Sequence, residues 1–240
     1  MDMETVKKND FIECSFSAWT KDSHELVDTT EEKLAKENDM MSEKDKMGPV
    51  IVCLGQGQLL KGIEAALPGK EVGKELSLDV SAENAYGMKD PKLIHLIATS
   101  KFVAQGIQPQ PGLAVNIDGI LGRIRSVSGG RTLVDFNHPL AGKDLTYQFT
   151  VKRILTDTKE KIEAQARLLF ANEQHSVECD GASAAIKLKR ELPPKVQEAY
   201  AKNIQECIPE IKKVSFEKIT IPKKEENINT SKFPRQTGDK

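Results

Sequence analysis

Apolar and polar residues alternate strictly along several short stretches. In FIECSFSAW (11–19), Cys14, Phe16 and Ala18 alternate with Glu13, Ser15 and Ser17. In ELSLDV (75–80), Leu76, Leu78 and Val80 alternate with Glu75, Ser77 and Asp79. A period of two is that of a strand with one dry face and one wet face. The run VIVCL (50–54) adds a short buried strand. A second set, LAVNIDGI (113–120), GRIRSVS (122–128) and RTLVDFN (131–137), is separated by glycine-bearing turns such as Gly129-Gly130. LTYQFTVKRI (145–154) then places Leu145, Tyr147, Phe149 and Val151 on one face. Its long, clean alternation suits closure of the first sheet, which makes roughly 89–138 an insertion with its own small β core.

Helical periodicity is local at first. After VIVCL comes GQGQLLKG (55–62), where nucleotide-binding loops often sit. Leu60 stands where the dinucleotide fingerprint needs its third glycine, and Ile63-Glu64 stands where the mononucleotide loop needs Lys and Ser or Thr. Leu59, Leu60, Ile63 and Leu67 instead form one apolar helical face directly after a glycine turn. The charged segment 29–48 has no sustained apolar stripe and predicts a partly helical surface bulge.

From Thr158 the pattern changes to a helix with Ile162, Ala166 and Leu169 on one side, two short strands, a helix opened by Pro194, and a last strand, KKVSFEKITI. On that strand Val214 and Phe216 alternate, but the phase breaks at Lys218 before Ile219 and Ile221, as at a bulge or an edge. So small an α-β-β-α-β unit (157–221) buries little by itself, and an edge strand with apolar ends points to self-pairing, hence a homodimer through this unit. The charged, asparagine-rich stretch 222–240 predicts a disordered tail.

Composition narrows the function classes. The chain has 240 residues and a net charge of −1, so no global field draws it to nucleic acid or to an acidic membrane. No apolar run reaches the roughly 18–20 residues that span a bilayer, and MDMETVKKNDF lacks the core of a signal peptide, so a cytoplasmic protein is expected. Cys14, Cys53, Cys179 and Cys207 are far apart and read as reduced structural thiols. In that setting Asn229-Thr-Ser is a chance match to a glycosylation acceptor. His24, His95 and His175 have no partners at metal-ligand spacing. His138, in NHPLAG, lies where the insertion rejoins the sheet and reads as a junction residue rather than a base.

Three motifs in order, GQGQLLKGIEAALPGKEVGKELSLDV (55–80), AENAYG (82–87) and VDFNHPLAGKDLTYQF (134–149), closely resemble the FKBP-type peptidyl-prolyl isomerases of the SlyD-like branch, in particular the long archaeal form. The resemblance spans about 6–155. It implies an α+β fold: an antiparallel half-barrel sheet around a short helix (1–88 and 138–156), an insert-in-flap domain (89–137) that holds unfolded chains, and the small C-terminal domain (157–221). It further implies rotation about X-Pro bonds of unfolded or nascent polypeptides, with no cofactor. The histidine-rich metal-binding tail of SlyD relatives is missing here, so no metal is expected.

Carried over residue by residue, the resemblance places Phe16 at a tyrosine position, Val27-Asp28 at the Val-Asp pair, and Val50 at a position often held by phenylalanine. Leu59 and Leu60 match a Val-Ile pair whose second backbone N–H grips the substrate carbonyl. Ile63 replaces a tryptophan floor, Tyr86 is the tyrosine of AYG, and Tyr147 takes a pocket phenylalanine. The apolar members of this set equally suit core, and Asp28 alone equally suits a solvated turn. Ile94, Leu96, Phe102 and Ile107 are apolar in a linker-like region and suit either a client-binding groove or the insert's own core. A non-enzymatic chaperone or scaffold with a decayed proline pocket is the competing function.

Overall fold

The computed structural model describes residues 4–41, 47–170 and 173–219. The tail 222–240, the Asn229 triplet, Ile221 and part of the charged bulge lie outside the described residues. By contacts the chain divides into two units, Met1–Gln165 and Ala166–Lys240.

The first unit begins with β1 (Phe11–Thr20), β2 (Leu26–Thr29), α1 (Glu32–Glu37), β3 (Val50–Cys53), α2 (Lys61–Ala66) and β4 (Glu75–Val80). The chain then leaves this sheet through a 3₁₀ turn, Ala82–Asn84, and returns as β9 (Leu145–Ile154). The antiparallel order is β2-β1-β9-β4, with β3 pairing the other half of the β1 edge that β2 uses. Register sets Phe16 opposite Phe149, Ala18 opposite Tyr147, and Leu76 and Leu78 opposite Phe149 and Tyr147. The alternating apolar residues therefore line one face of the sheet.

α2 packs on that face, burying Ile63 and Leu67. Its approach to β4 is close because residue 62 has no side chain: a Cβ there would lie 2.6 Å from Val80 Cγ1. The turn before it needs left-handed backbone at Gly55 (φ 90°) and Gly57 (φ 70°). The glycines of GQGQLLKG thus serve a tight turn and a close helix–sheet contact.

Between β4 and β9 lie a 3₁₀ turn (Pro91–Leu93), β5 (Ile94–Ala98), α3 (Thr99–Val103), β6 (Ala114–Ile117), β7 (Ile120–Ser128) and β8 (Arg131–Asp135), forming a second antiparallel sheet of order β5-β8-β7-β6. Phe102, Val115, Ile124 and Val134 are its core. Two sequence expectations are corrected here. LAVNIDGI is not one strand: Asp118 (φ 52°) and Gly119 (φ 83°) turn it into the β6–β7 hairpin, an Asp-Gly turn whose positive φ pair matches the strand twist. The linker-like region 94–107 holds a strand and a helical turn, hidden because apolar pairs at Leu93-Ile94 and Leu96-Ile97 blur the period of two.

The last helix to be shared between the units is α4 (Thr158–Leu169), in which the dividing point falls. The second unit continues with β10 (His175–Asp180), β11 (Ser183–Leu188), α5 (Pro194–Cys207) and β12 (Lys213–Lys218). β10 and β11 form a hairpin, and β12 runs parallel to β11 at the sheet edge after the α5 crossover. Phe216 packs against Phe170 and Tyr200 at ring distances of 6.3 and 6.5 Å.

Candidate functional site

Ile63 in the first turn of α2 and Tyr147 on β9 are buried, at 1% and 3% exposure. Phe16, Val27, Leu59, Leu60 and Tyr86 are half-buried and pack against the cluster that contains them. Eight of the nine sequence-chosen positions meet in this way, with Asp28 brought in beside Val27 on β2. Val50 stands apart at the start of β3, exposed and not packed on that cluster, because strand pairing there begins only at its own Cys14 partner.

Phe16 is fixed by aromatic contacts on its own sheet. Its ring stacks on Phe149 at 5.9 Å and an interplanar angle of 4°, and tilts against Tyr147 at 5.8 Å. Offset aromatic contacts of this kind hold ring planes as well as fill volume. Phe149 supports the Phe16 ring, a contact that its place on one face of the alternating strand does not announce.

Leu60 is the N-cap position of α2 and has no side-chain acceptor for the helix amides. Glu64 reaches back past the helix start instead, its Oε1 accepting from the N–H of Gln58 at 3.2 Å and of Leu59 at 3.5 Å, both residues of the preceding turn. Among the described residues the Leu60 N–H has no acceptor. A donor is thereby left at the lip of an apolar bowl, at the positive end of a short helix.

Three acidic groups face the same space. Burial pushes the Asp28 carboxyl above its ordinary value, against a hydrogen bond from the Thr29 backbone. The Tyr86 phenol is raised by burial and then by the charge of Asp28. Tyr147 is raised further, by burial first and then by Tyr86 and Asp28. Mutual influence requires proximity in a poorly solvated space, and both phenols stay protonated donors. The set contains no nucleophile with an adjacent base. What it offers is a partly buried apolar surface with two O–H donors, one carboxylate acceptor and one backbone N–H.

Tyr86 is anchored at the neck where the chain passes into the second sheet and returns. The Gly87 N–H donates to Ala82 O at 2.7 Å, Gly142 N–H to Gly87 O at 2.8 Å, and Ala82 N–H to the Asp144 carboxylate at 2.8 Å. The Tyr86 ring stacks on the His138 ring at 4.3 Å and 3°, while His138 Nδ1 accepts from the Leu140 N–H at 3.2 Å. Beside it, Asn137 accepts from the Asp90 N–H at 2.7 Å and donates to Asp90 O at 3.0 Å and to Asp135 at 2.8 Å. These bonds staple the outgoing strand to the returning one. No local sequence signal brings His138 onto Tyr86, since the two meet only when the neck closes.

Of the four residues assigned from sequence to client contact, Phe102 is buried in the core of the second sheet and Ile107 packs on that core. Ile94 is half-buried, and Leu96 on β5 is 56% exposed. Ile120 and Leu121 at the β6–β7 hairpin are also largely exposed, apolar positions that the sequence reading left unassigned.

Comparison with known proteins bears on both sheets. Residues 3–103 match the family model of FKBP-type peptidyl-prolyl cis-trans isomerases, and residues 95–140 match that of the FKBP26 IF domain. The short-type peptidyl-prolyl cis-trans isomerase of Methanocaldococcus jannaschii is 33% identical over 147 residues, covering 61% of this chain and 91% of that protein. The FKBP-type 16 kDa peptidyl-prolyl cis-trans isomerase of Escherichia coli is 32% identical, over 47% of this chain and 78% of its own length. SlyD, an FKBP-type peptidyl-prolyl cis-trans isomerase of the same organism, is 30% identical over 51% of this chain and 64% of its own length.

Proposed function

The chain belongs to the FKBP-type peptidyl-prolyl cis-trans isomerases, and from that premise we propose that the bowl around Ile63 and Tyr147 is its proline pocket and that the second sheet captures unfolded clients for it. The observation that carries the pocket is the convergence of Asp28, Tyr86 and Tyr147 on one poorly solvated space over an apolar floor.

Rotation about a prolyl peptide bond faces a barrier of about 18–20 kcal/mol because the planar amide is resonance-stabilised. The twisted amide has lost that resonance and is less polar than the planar one. A dry pocket therefore favours the transition state over the ground state, and each ~1.4 kcal/mol of preference is a tenfold gain in rate. In this reading Phe16, Val27, Ile63 and Tyr147 receive the ring. The Leu60 N–H and the Tyr86 hydroxyl hold substrate carbonyls on either side of the rotating bond, and Asp28 orients the peptide without moving a proton. Val50, at the open margin, touches only the flanking residues of a client.

Capture is the second half of the proposal. β5 pairs only with β8 among the described strands, so its other edge is open to an extended segment that adds as a further strand. Leu96 and the Ile120-Leu121 tip supply apolar contact, Ile94 flanks them, and Phe102 with Ile107 holds the surface from beneath. The α5-containing unit is proposed to pair two chains through the β12 edge, so that light scattering at micromolar concentration reads two chains per particle; a single-chain mass removes that part. Isomerase assays on a proline tetrapeptide and on an unfolded protein test the whole. A chain with Leu96, Ile120 and Leu121 all changed to serine keeps tetrapeptide turnover and loses most of its advantage on the protein substrate. Equal turnover on both substrates, before and after the change, rejects capture by this surface.

A further inference from the structure

α4 carries a buried residue out of keeping with its neighbours. Ile162, Ala164 and Ala166 are buried along this helix, and among them Gln165 is only 2% exposed. A buried amide is destabilising unless its hydrogen-bonding groups find partners, so its persistence inside a helix asks what it holds. Gln165 Oε1 accepts from Gln58 Nε2 at 3.0 Å.

Gln58 is the last residue of the glycine turn, and it is gripped from two further sides. Its own Oε1 accepts from the N–H of Cys53, the end of β3, at 2.7 Å. Its N–H donates to Glu64 of α2 at 3.2 Å. Around it the backbone is intrinsically soft: Gly55 and Gly57 both occupy left-handed conformations, and a Cβ on Gly57 would meet nothing within 4 Å. At Gly57 no side-chain packing defines the path of this turn. The chain of amides Cys53–Gln58–Gln165 does, and the next two residues along the chain are Leu59 and Leu60.

The geometry points to Gln165 as a positioning residue of the isomerase site: through Gln58 it fixes the backbone that presents the Leu59 and Leu60 lip and the Leu60 N–H. The inference rests on the proline-pocket reading above. Productive geometry in a binding site tolerates only about 0.5 Å of play, and here the supporting bond comes from a helix that lies beyond the returning strand β9. Removal of the bond leaves Gln58 held by Cys53 and Glu64 alone, and the donor at the lip gains play.

Kinetics on the full-length chain test this. Gln165→Met keeps volume and removes the acceptor; Gln165→Glu keeps an acceptor oxygen for Gln58; Gln58→Met removes the bond from its other end. Gln165→Met and Gln58→Met each lower kcat/KM on a proline tetrapeptide about three- to tenfold, and the double variant loses no more than the worse single, as expected for one shared interaction. Gln165→Glu retains more rate than Gln165→Met, and amide exchange at Cys53 and Leu59 speeds up in both Met variants. Tyr86→Ala, run alongside, separates this idea from the one it rests on. If Tyr86→Ala is slow and folded Gln165→Met is unchanged, Gln165 is only a core residue. Silence of both variants rejects the pocket reading itself. Losses that multiply in the double variant overturn the shared-bond account.

Discussion

Replacing Gly62 by alanine adds one methyl group where α2 crosses β4. The new Cβ would sit 2.6 Å from Val80 Cγ1, 3.4 Å from Cγ2 and 3.3 Å from Asn84 Cβ, where ordinary contact begins at 3.4 Å. The shortfall between 2.6 and 3.4 Å, about 0.8 Å, has to be made up by movement. Val80 cannot supply it, because it is 2% exposed and its backbone is locked opposite Leu145 in the ladder. α2 therefore moves, and with it Leu60 and Ile63. Overpacking of this kind costs about 1–3 kcal/mol. Against it stands alanine's gain in helix propensity, at most about 1 kcal/mol in a helix interior and less in the first turn. The clash wins, and at about 2–4 °C per kcal/mol for a unit of this size the unfolding midpoint falls by several degrees. Turnover on a tetrapeptide falls about tenfold or more, since a displacement near 1 Å at a positioned site costs up to about a hundredfold. The single tryptophan, Trp19 on β1, reports unfolding of this sheet. Gly48→Ala, with nothing within 4 Å of its Cβ, is the matched control and leaves both readings unchanged. A Gly62→Ala chain with the midpoint and turnover of the parent would show that neither the close contact nor the floor assigned to α2 matters.

Tyr86→Ala removes one wall and an O–H donor from the bowl, so turnover falls about tenfold while the Trp19 midpoint moves little; parallel kinetics and thermal unfolding check it, and full turnover in a folded chain rejects the assignment. Asp28→Asn acts in opposite directions on rate and stability. Burial raises the folded-state pKa of Asp28 above 3.8, so the stability contributed by its protonated form is complete below that value and lost as pH rises through the folded-state pKa. Near pH 7 the asparagine variant is therefore the more stable, the difference closes below about pH 4, and turnover drops a few-fold; urea titrations at the two pH values measure it. With no proton transferred, the rate stays nearly flat from about pH 6 to 8, and a bell-shaped profile would implicate His138 as a base.

Much of the first sheet was legible because its period is undisturbed. Leu145, Tyr147, Phe149 and Val151 alternate in sequence and are all buried on one face. The proposed pocket residues are legible only through motif resemblance; by pattern alone Ile63 and Tyr147 are core, and core is also what their burial shows. Val50 carried no packing to match its motif position. The Asp118-Gly119 hairpin has its turn signal in the sequence, an Asp-Gly pair between apolar runs, whereas β5 is masked by adjacent apolar residues. The Tyr86–His138 stack and the Gln58–Gln165 bond were not legible, since each joins residues far apart along the chain and neither residue type announces its partner.

The placement of β9 also dictates an order of assembly. β1 is made first, yet its long partner β9 emerges only after the whole of β5 to β8, so the edge of β1 waits unpaired while the intervening chain leaves the ribosome. The intervening sheet needs no such wait: β6, β7 and β8 are joined by two tight hairpins, and contacts of that local kind form fast, whereas distant pairings form late. Synthesis from the N-terminus thus completes the inserted sheet ahead of the sheet that it interrupts. For a time each new molecule is itself an incomplete β-protein with a bare strand, the kind of chain that the capture surface proposed above would hold.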